Sequence, residues 1–77
     1  MSKQLHFTVL LEPQGEGGYT ATVPALPEIV TEGESEAEAL AMIEDAIELA
    51  LAHRRDQRMP IPEDRAPTLR KVSVAAA

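Results

Sequence analysis

Apolar and polar positions alternate along the first part of the chain. Between Gln4 and Glu12, Leu5, Phe7, Val9 and Leu11 fall on one side, while Gln4, His6, Thr8, Leu10 and Glu12 make the other, mostly polar side. A period of two marks a half-buried strand, so the pattern predicts a strand over residues 4–12. Alternation resumes at Tyr19, Ala21 and Val23 against Thr20 and Thr22, predicting a second strand over 19–24 that pairs antiparallel with the first. The intervening run, Pro13-Gln14-Gly15-Glu16-Gly17-Gly18, is a hairpin loop by composition. It lacks the Lys and the following helix that a phosphate cradle requires. Pro24 has no N–H for a ladder and ends the second strand. Pro24-Ala25-Leu26-Pro27 then reads as a stiff crossing with Leu26 turned inward. Residues 28–32 form a short third strand, with Gly33 as the turn out of it.

After Ser35 the period changes. On a helical wheel Leu40, Ile43, Ile47 and Leu51 share a stripe that Ala39, Ala46 and Ala50 widen, which predicts an amphipathic helix over 36–55. Ser35 stands as N-cap with Glu38 at the third helical position, the spacing of a capping box. Glu34 and Glu36 put negative charge at the positive end of the helix dipole, and His53, Arg54 and Arg55 put positive charge at the other. Beyond the helix, Met59-Pro60-Ile61-Pro62 is held extended by its prolines. Residues 69–75 read as a closing strand with Val72 and Val74 on its inner face. The predicted fold is α+β: a two-layer sandwich in the order β-β-β-α-β, with an antiparallel sheet packed on one helix, in a single domain over residues 1–77.

Composition sharpens this picture. With one Phe, one Tyr, no Trp and no Cys among 77 residues, the core must come from Leu, Ile, Val and Ala, without disulfides or thiolate metal sites. A core this small, without a staple, predicts self-association as a dimer or tetramer. The absence of an apolar leader or of any run of roughly 18 apolar residues leads us to expect a cytoplasmic protein without a membrane partner. Charge is segregated: Glu28, Glu32, Glu34, Glu36, Glu38, Glu44, Asp45 and Glu48 are unrelieved by any basic residue, whereas Arg54 to Lys71 carries six basic residues against three acidic ones. A net charge of −6 speaks against a general nucleic-acid footprint and suits a basic partner, although solvation alone also explains an acidic helix face.

The stretch from Tyr19 to Leu51 resembles the HicB family of antitoxins. The residues that carry the likeness are Tyr19, Val23, Pro24, Leu26, Pro27, Thr31, Gly33, Ser35, Glu38, Ala39, Leu40 and Ala46, joined later by Ile61-Pro62. The family pattern continues its P-x-L-P segment with Gly-Cys, where this chain has Glu28-Ile29. The resemblance implies a partial RNase H-like, HicB-type domain that binds and neutralises a small basic toxin, a HicA-type mRNA interferase. Longer members add a C-terminal DNA-binding segment, and its absence from the sequence leads us to expect no direct DNA binding. Two other readings stand beside this one: a solitary oligomeric HicB-like domain with a different partner, and an RNA-processing enzyme.

Candidate chemistry is sparse. His6 and His53 read as surface residues, and most carboxylates lie on the helix exterior or its cap rather than gathered on strands to hold a metal. We therefore expect no enzyme activity, no catalytic or metal-binding residues and no cofactor. If the acidic face meets the partner, the candidate contacts are Glu32, Glu34, Glu38, Glu44, Asp45 and Glu48, with Met42 and Leu49 as apolar anchors. Met42 and Leu49 lie opposite the core stripe. At this level they are equally readable as incidental surface residues or as an oligomer contact.

Overall fold

Three short strands, β1 (Leu10–Pro13), β2 (Tyr19–Thr22) and β3 (Val30–Gly33), form an antiparallel sheet in the order β1-β2-β3. The helix α1 (Glu36–Asp56) lies over β3 and β2. The computed structural model describes residues 4–76. The architecture is the two-layer α+β arrangement that the periodicities predict, built on an antiparallel β-β-β-α core.

The hairpin register pairs Leu10 with Thr22 and Pro13 with Tyr19. Gln14 N–H donates to Gly18 O across the same register at 3.0 Å. By alternation, the N–H groups of Leu10 and Glu12 also face β2, and those of Val9 and Leu11 face the free edge. The outward position at residue 13 is a proline, so the missing donor costs the ladder nothing.

The first strand is shorter than its alternation predicts, and the reason is on the partner strand. Continued two residues, the register would set Thr8 opposite Pro24. There the chain leaves the sheet through two successive turns, Leu26 N–H to Val23 O (2.9 Å) and Ile29 N–H to Leu26 O (3.0 Å). The Asp64 carboxylate takes the vacated place: Thr8 N–H donates to Oδ1 at 2.7 Å and Thr8 Oγ1 to Oδ2 at 2.8 Å. Gln4–Val9 is therefore not ladder, despite its period. Residues 23 and 24 likewise lie outside β2, and the third strand begins at Val30 rather than residue 28.

The same turns create the core. Leu26 and Val23 are fully buried with Ala21, Ala25, Ile29, Ala39 and Ile43, and Phe7, Val9, Leu11, Tyr19, Ala46, Ile47 and Ala50 pack partly against them. Small residues bring helix and sheet close. A Cβ on Gly33 would sit 2.5 Å from Ala39 N and 2.8 Å from Ala39 Cα. Gly33 is thus a close-approach residue at the end of β3 rather than the turn after it. Leu40, by contrast, falls on the edge of the apolar stripe and stays exposed.

Ser35 caps the helix as the spacing predicts, its Oγ accepting from Glu38 N–H at 3.1 Å. The reciprocal half of the capping box, Ser35 N–H to the Glu38 carboxylate, is not formed among the described residues. At the other end Gln57 is the C-cap, Arg58 takes a left-handed φ of 56°, and Met59 N–H reaches back to Arg54 O at 2.7 Å while Arg58 N–H bonds Arg55 O at 3.1 Å. That pair of bonds is a Schellman ending, with arginine where glycine is usual.

One expectation fails outright. Residues 69–75 form no strand: Leu69, Val72 and Val74 are 80%, 82% and 82% exposed. A strand needs a ladder partner, and nothing in the sequence says which edge supplies it.

Candidate interaction surface

The helix sorts the predicted contact residues by angle. Glu38, Met42, Asp45 and Leu49 recur at intervals of four, three and four residues, which places them in one exposed stripe along the flank of the helix beside the buried Ala39 and Ile43. Leu49 is 73% exposed and Met42 48% exposed, and the three carboxylates Glu38, Asp45 and Glu48 are exposed as well. All eight predicted contacts, Glu32, Glu34, Glu38, Met42, Glu44, Asp45, Glu48 and Leu49, are exposed.

They do not form one patch. Glu32, Glu34 and Glu38 gather at the hairpin end, where with Glu16, Gln14 and Tyr19 they line a shallow concavity of about 700 Å³. Half-buried Tyr19 lines it together with four carboxylates, Glu16, Glu32, Glu34 and Glu38. Glu44 and Glu48 lie on the far flank of the helix instead. They border a second groove of about 820 Å³, whose walls are Leu5, Phe7, Val9, Leu40, Ile47 and Leu51. The outer stripe runs between these two hollows.

One ion pair and one pair of hydrogen bonds to a carboxylate were not visible in the sequence. Arg54 Nη2 bonds Glu28 Oε2 at 3.1 Å, and Arg54 Nη1 donates to Pro60 O at 3.4 Å, fastening the crossing and the return segment to the end of the helix. The Glu28 carboxyl is held below its ordinary range, first by its own backbone N–H and then by the Arg54 guanidinium. Asp64 is lowered by the backbone N–H and then the hydroxyl of Thr8. Spacing alone could not bring these partners together, because they are 26 and 56 residues apart.

Neither histidine meets a catalytic set: His6 and His53 are exposed. No group of three or more His, Cys, Asp or Glu side chains among the described residues is placed to hold a metal ion, and no helix there is long and apolar enough to cross a membrane.

What the arrangement offers is an acidic surface with apolar anchors, and similar proteins give it a context. Antitoxin HicB 1 of Photorhabdus laumondii is 37% identical over 62 residues, covering 78% of this chain and 40% of that protein. UPF0150 protein Ta0767 of Thermoplasma acidophilum is 34% identical over 62 residues, covering 80% of this chain and 90% of that one. This chain belongs to the HicB-like antitoxin family. UPF0150 protein ssr1765 of Synechocystis sp. is a further relative of this HicB-like chain, 36% identical over 63 residues and 80% of each sequence. The HicB-like chain therefore spans less than half of the Photorhabdus antitoxin but most of the two shorter relatives. No family model and no solved structure matches it.

Proposed function

We propose that this chain is the protein-binding module of a toxin–antitoxin pair, a non-enzymatic cytoplasmic domain of partial RNase H-like type that neutralises a small basic HicA-type mRNA interferase by direct binding. The observation that carries this reading is the outer stripe of α1. Glu38 and Asp45 alternate there with Met42 and Leu49, so charge can steer a basic protein while two apolar side chains anchor it. A toxin that grips RNA needs a basic surface, and covering that surface with carboxylates excludes the RNA. The acidic concavity around Tyr19 extends the same face toward β3.

The test is co-expression with the small basic protein encoded beside this one, followed by co-purification. Charge reversal at Glu38→Lys with Asp45→Lys is expected to abolish the complex while leaving the helix intact by circular dichroism. Retained binding in that double variant would move the interface off the outer stripe. A second reading, a self-associating HicB-like domain with another partner, is favoured by one observation: the two relatives that this chain spans most fully are named only as UPF0150 proteins. A neighbouring gene that encodes no small basic protein would select it.

A further inference from the structure

The outer edge of β3 lies along the predicted contact residues. The sheet order is β1-β2-β3, so β3 has a strand on one side only. Its register sets Ala21 opposite Thr31 and Tyr19 opposite Gly33. Continued from the Gln14–Gly18 bond through both registers, the alternation turns the main chain of Thr31 and Gly33 toward β2 and that of Val30 and Glu32 outward. Those outward N–H and C=O groups make no hydrogen bond among the described residues.

One flank of α1 overhangs that edge. The buried Ala39 and Ile43 divide the helix: Leu40, Ile47 and Leu51 fall on the side of the groove with Phe7 and Val9, and the stripe of Glu38, Met42, Asp45 and Leu49 falls on the other. Since α1 lies over β3 and β2, this second flank stands above the free side of β3. Two contacts set the alignment. Gly33 approaches Ala39 and Glu28 bonds Arg54, so the strand runs antiparallel to the helix and Met42 comes alongside Val30–Gly33. Thr31 faces the helix, its Oγ1 donating to Ala39 O at 3.5 Å, and Val30 turns its side chain to the opposite face of the sheet, 60% exposed.

Unpaired main chain between two exposed apolar side chains, Met42 on one face and Val30 on the other, is the setting for an added strand. Charge decides what kind. Glu32 lies on the edge itself, Glu28 and Glu34 flank it, and Glu38 and Asp45 stand on the helix above. Of these, Glu28 alone is paired, with Arg54, among the described residues. A second copy of this edge would bring the same carboxylates against these, so like charges oppose self-pairing here. A strand carrying Lys or Arg instead meets opposite charge on both faces. We propose that the small basic partner adds a strand to the outer edge of β3, pairing its main chain with Val30 and Glu32 and resting apolar side chains on Met42 and Val30, a mode that rests on the toxin-binding reading and fixes the partner's register as well as its charge.

The test is amide hydrogen exchange on the full chain, alone and in complex with the small basic protein encoded beside it, read with the affinities of two variants by calorimetry. In the complex the Val30 and Glu32 amides are expected to exchange about tenfold or more slower than in the free chain, with those of Val9 and Leu11, on the other edge, unchanged. Glu32→Gln loses the charge and keeps the N–H. Glu32→Pro loses the N–H as well and leaves the β2 ladder its bonds, as Pro13 does on β1. The proline variant is expected to bind about tenfold more weakly than the glutamine variant. Equal affinities of the two, with the helical signal intact, overturn the added strand. Should the proline variant not fold, exchange on the native chain decides: unchanged Val30 and Glu32 amides in a formed complex overturn the added strand and leave the toxin-binding reading in place. Protection of both amides already in the free chain overturns it too, since the edge would then be held without the partner. A native chain that forms no complex with that neighbour overturns both.

Discussion

The crossing from Ala21 to Ile29 and the two flanks of the chain are held by different physics. The crossing buries Val23, Ala25, Leu26 and Ile29 against Ala39 and Ile43, with two turn hydrogen bonds fixing its path and Arg54 clamping Glu28 at its outer corner. The flanks, Gln4–Val9 and residues 57–76, contribute no fully buried side chain and meet through one carboxylate, Asp64, on Thr8. So the fold is determined in the middle of the chain, by volume and close approach. Its ends are positioned by partial packing of Phe7 and Val9 and by a few polar contacts.

The difference can be broken most sharply at Leu26. Leu26→Ala removes a fully buried side chain where the surroundings are fixed by turns, and is expected to cost about 2–5 kcal/mol in urea unfolding. Leu69→Ala at the exposed end is expected to change the stability of a single chain by less than about 0.5 kcal/mol. Gly33→Ala comes next. Its Cβ would meet the Ala39 backbone, which cannot swing aside as a side chain could, so a loss of about 1–3 kcal/mol is expected from thermal unfolding.

The helix ends give smaller, opposite effects. Ser35→Ala leaves the Glu38 N–H without its cap and is expected to cost about 1 kcal/mol. Arg58→Gly relieves a left-handed arginine in the Schellman ending and is expected to stabilise by about 1 kcal/mol, read as a raised Tm.

The weakest effect is the acid sensitivity of the carboxylate contacts, Asp64 at the flanks and Glu28 at the outer corner of the crossing. Asp64 and Glu28 have folded-state values below their ordinary ones, so the unfolded chain takes up their protons first as pH falls. Their stabilisation is fully present above the ordinary carboxylate range and is lost as pH drops through the lowered values. Asp64→Asn should therefore flatten the acid limb of the stability curve, while the crossing retains its protection. In hydrogen exchange under mild acid, the Thr8 amide is expected to open before those of Ala21 and Val23.

What could be read in the sequence follows the same division. The helix, its Ser35 cap, the hairpin and the inward Leu26 come from local rules: period, capping geometry and the missing N–H of proline. The exposure of the outer stripe was legible for the same reason, because a wheel assigns faces without knowing the neighbours. The lost length of the first strand was not, since it depends on Pro24 turning away from Thr8, a fact about the opposite strand. Nor was the Schellman ending, because its usual glycine signal is replaced by Arg58. The division of the acidic residues between two hollows was hidden as well: Glu32 and Glu38 are joined by the β3–α1 approach at Gly33, whereas Glu44 and Glu48 follow the helix flank. The closing strand has the right alternation and no partner in the single chain, and period alone never names a partner.

Pro13 has a consequence at high protein concentration. A sheet edge that accepts one strand can accept an endless series of them, which is how ordered precipitates and fibres begin. At its hairpin end the outer edge of β1 offers a ring carbon where a donor would be, so an incoming chain can zip only along the Val9–Leu11 portion and then must stop. Replacing the proline would lengthen the adhesive edge without touching the core. We read residue 13 as the chain's safeguard against insolubility, placed where it costs the native ladder no hydrogen bond.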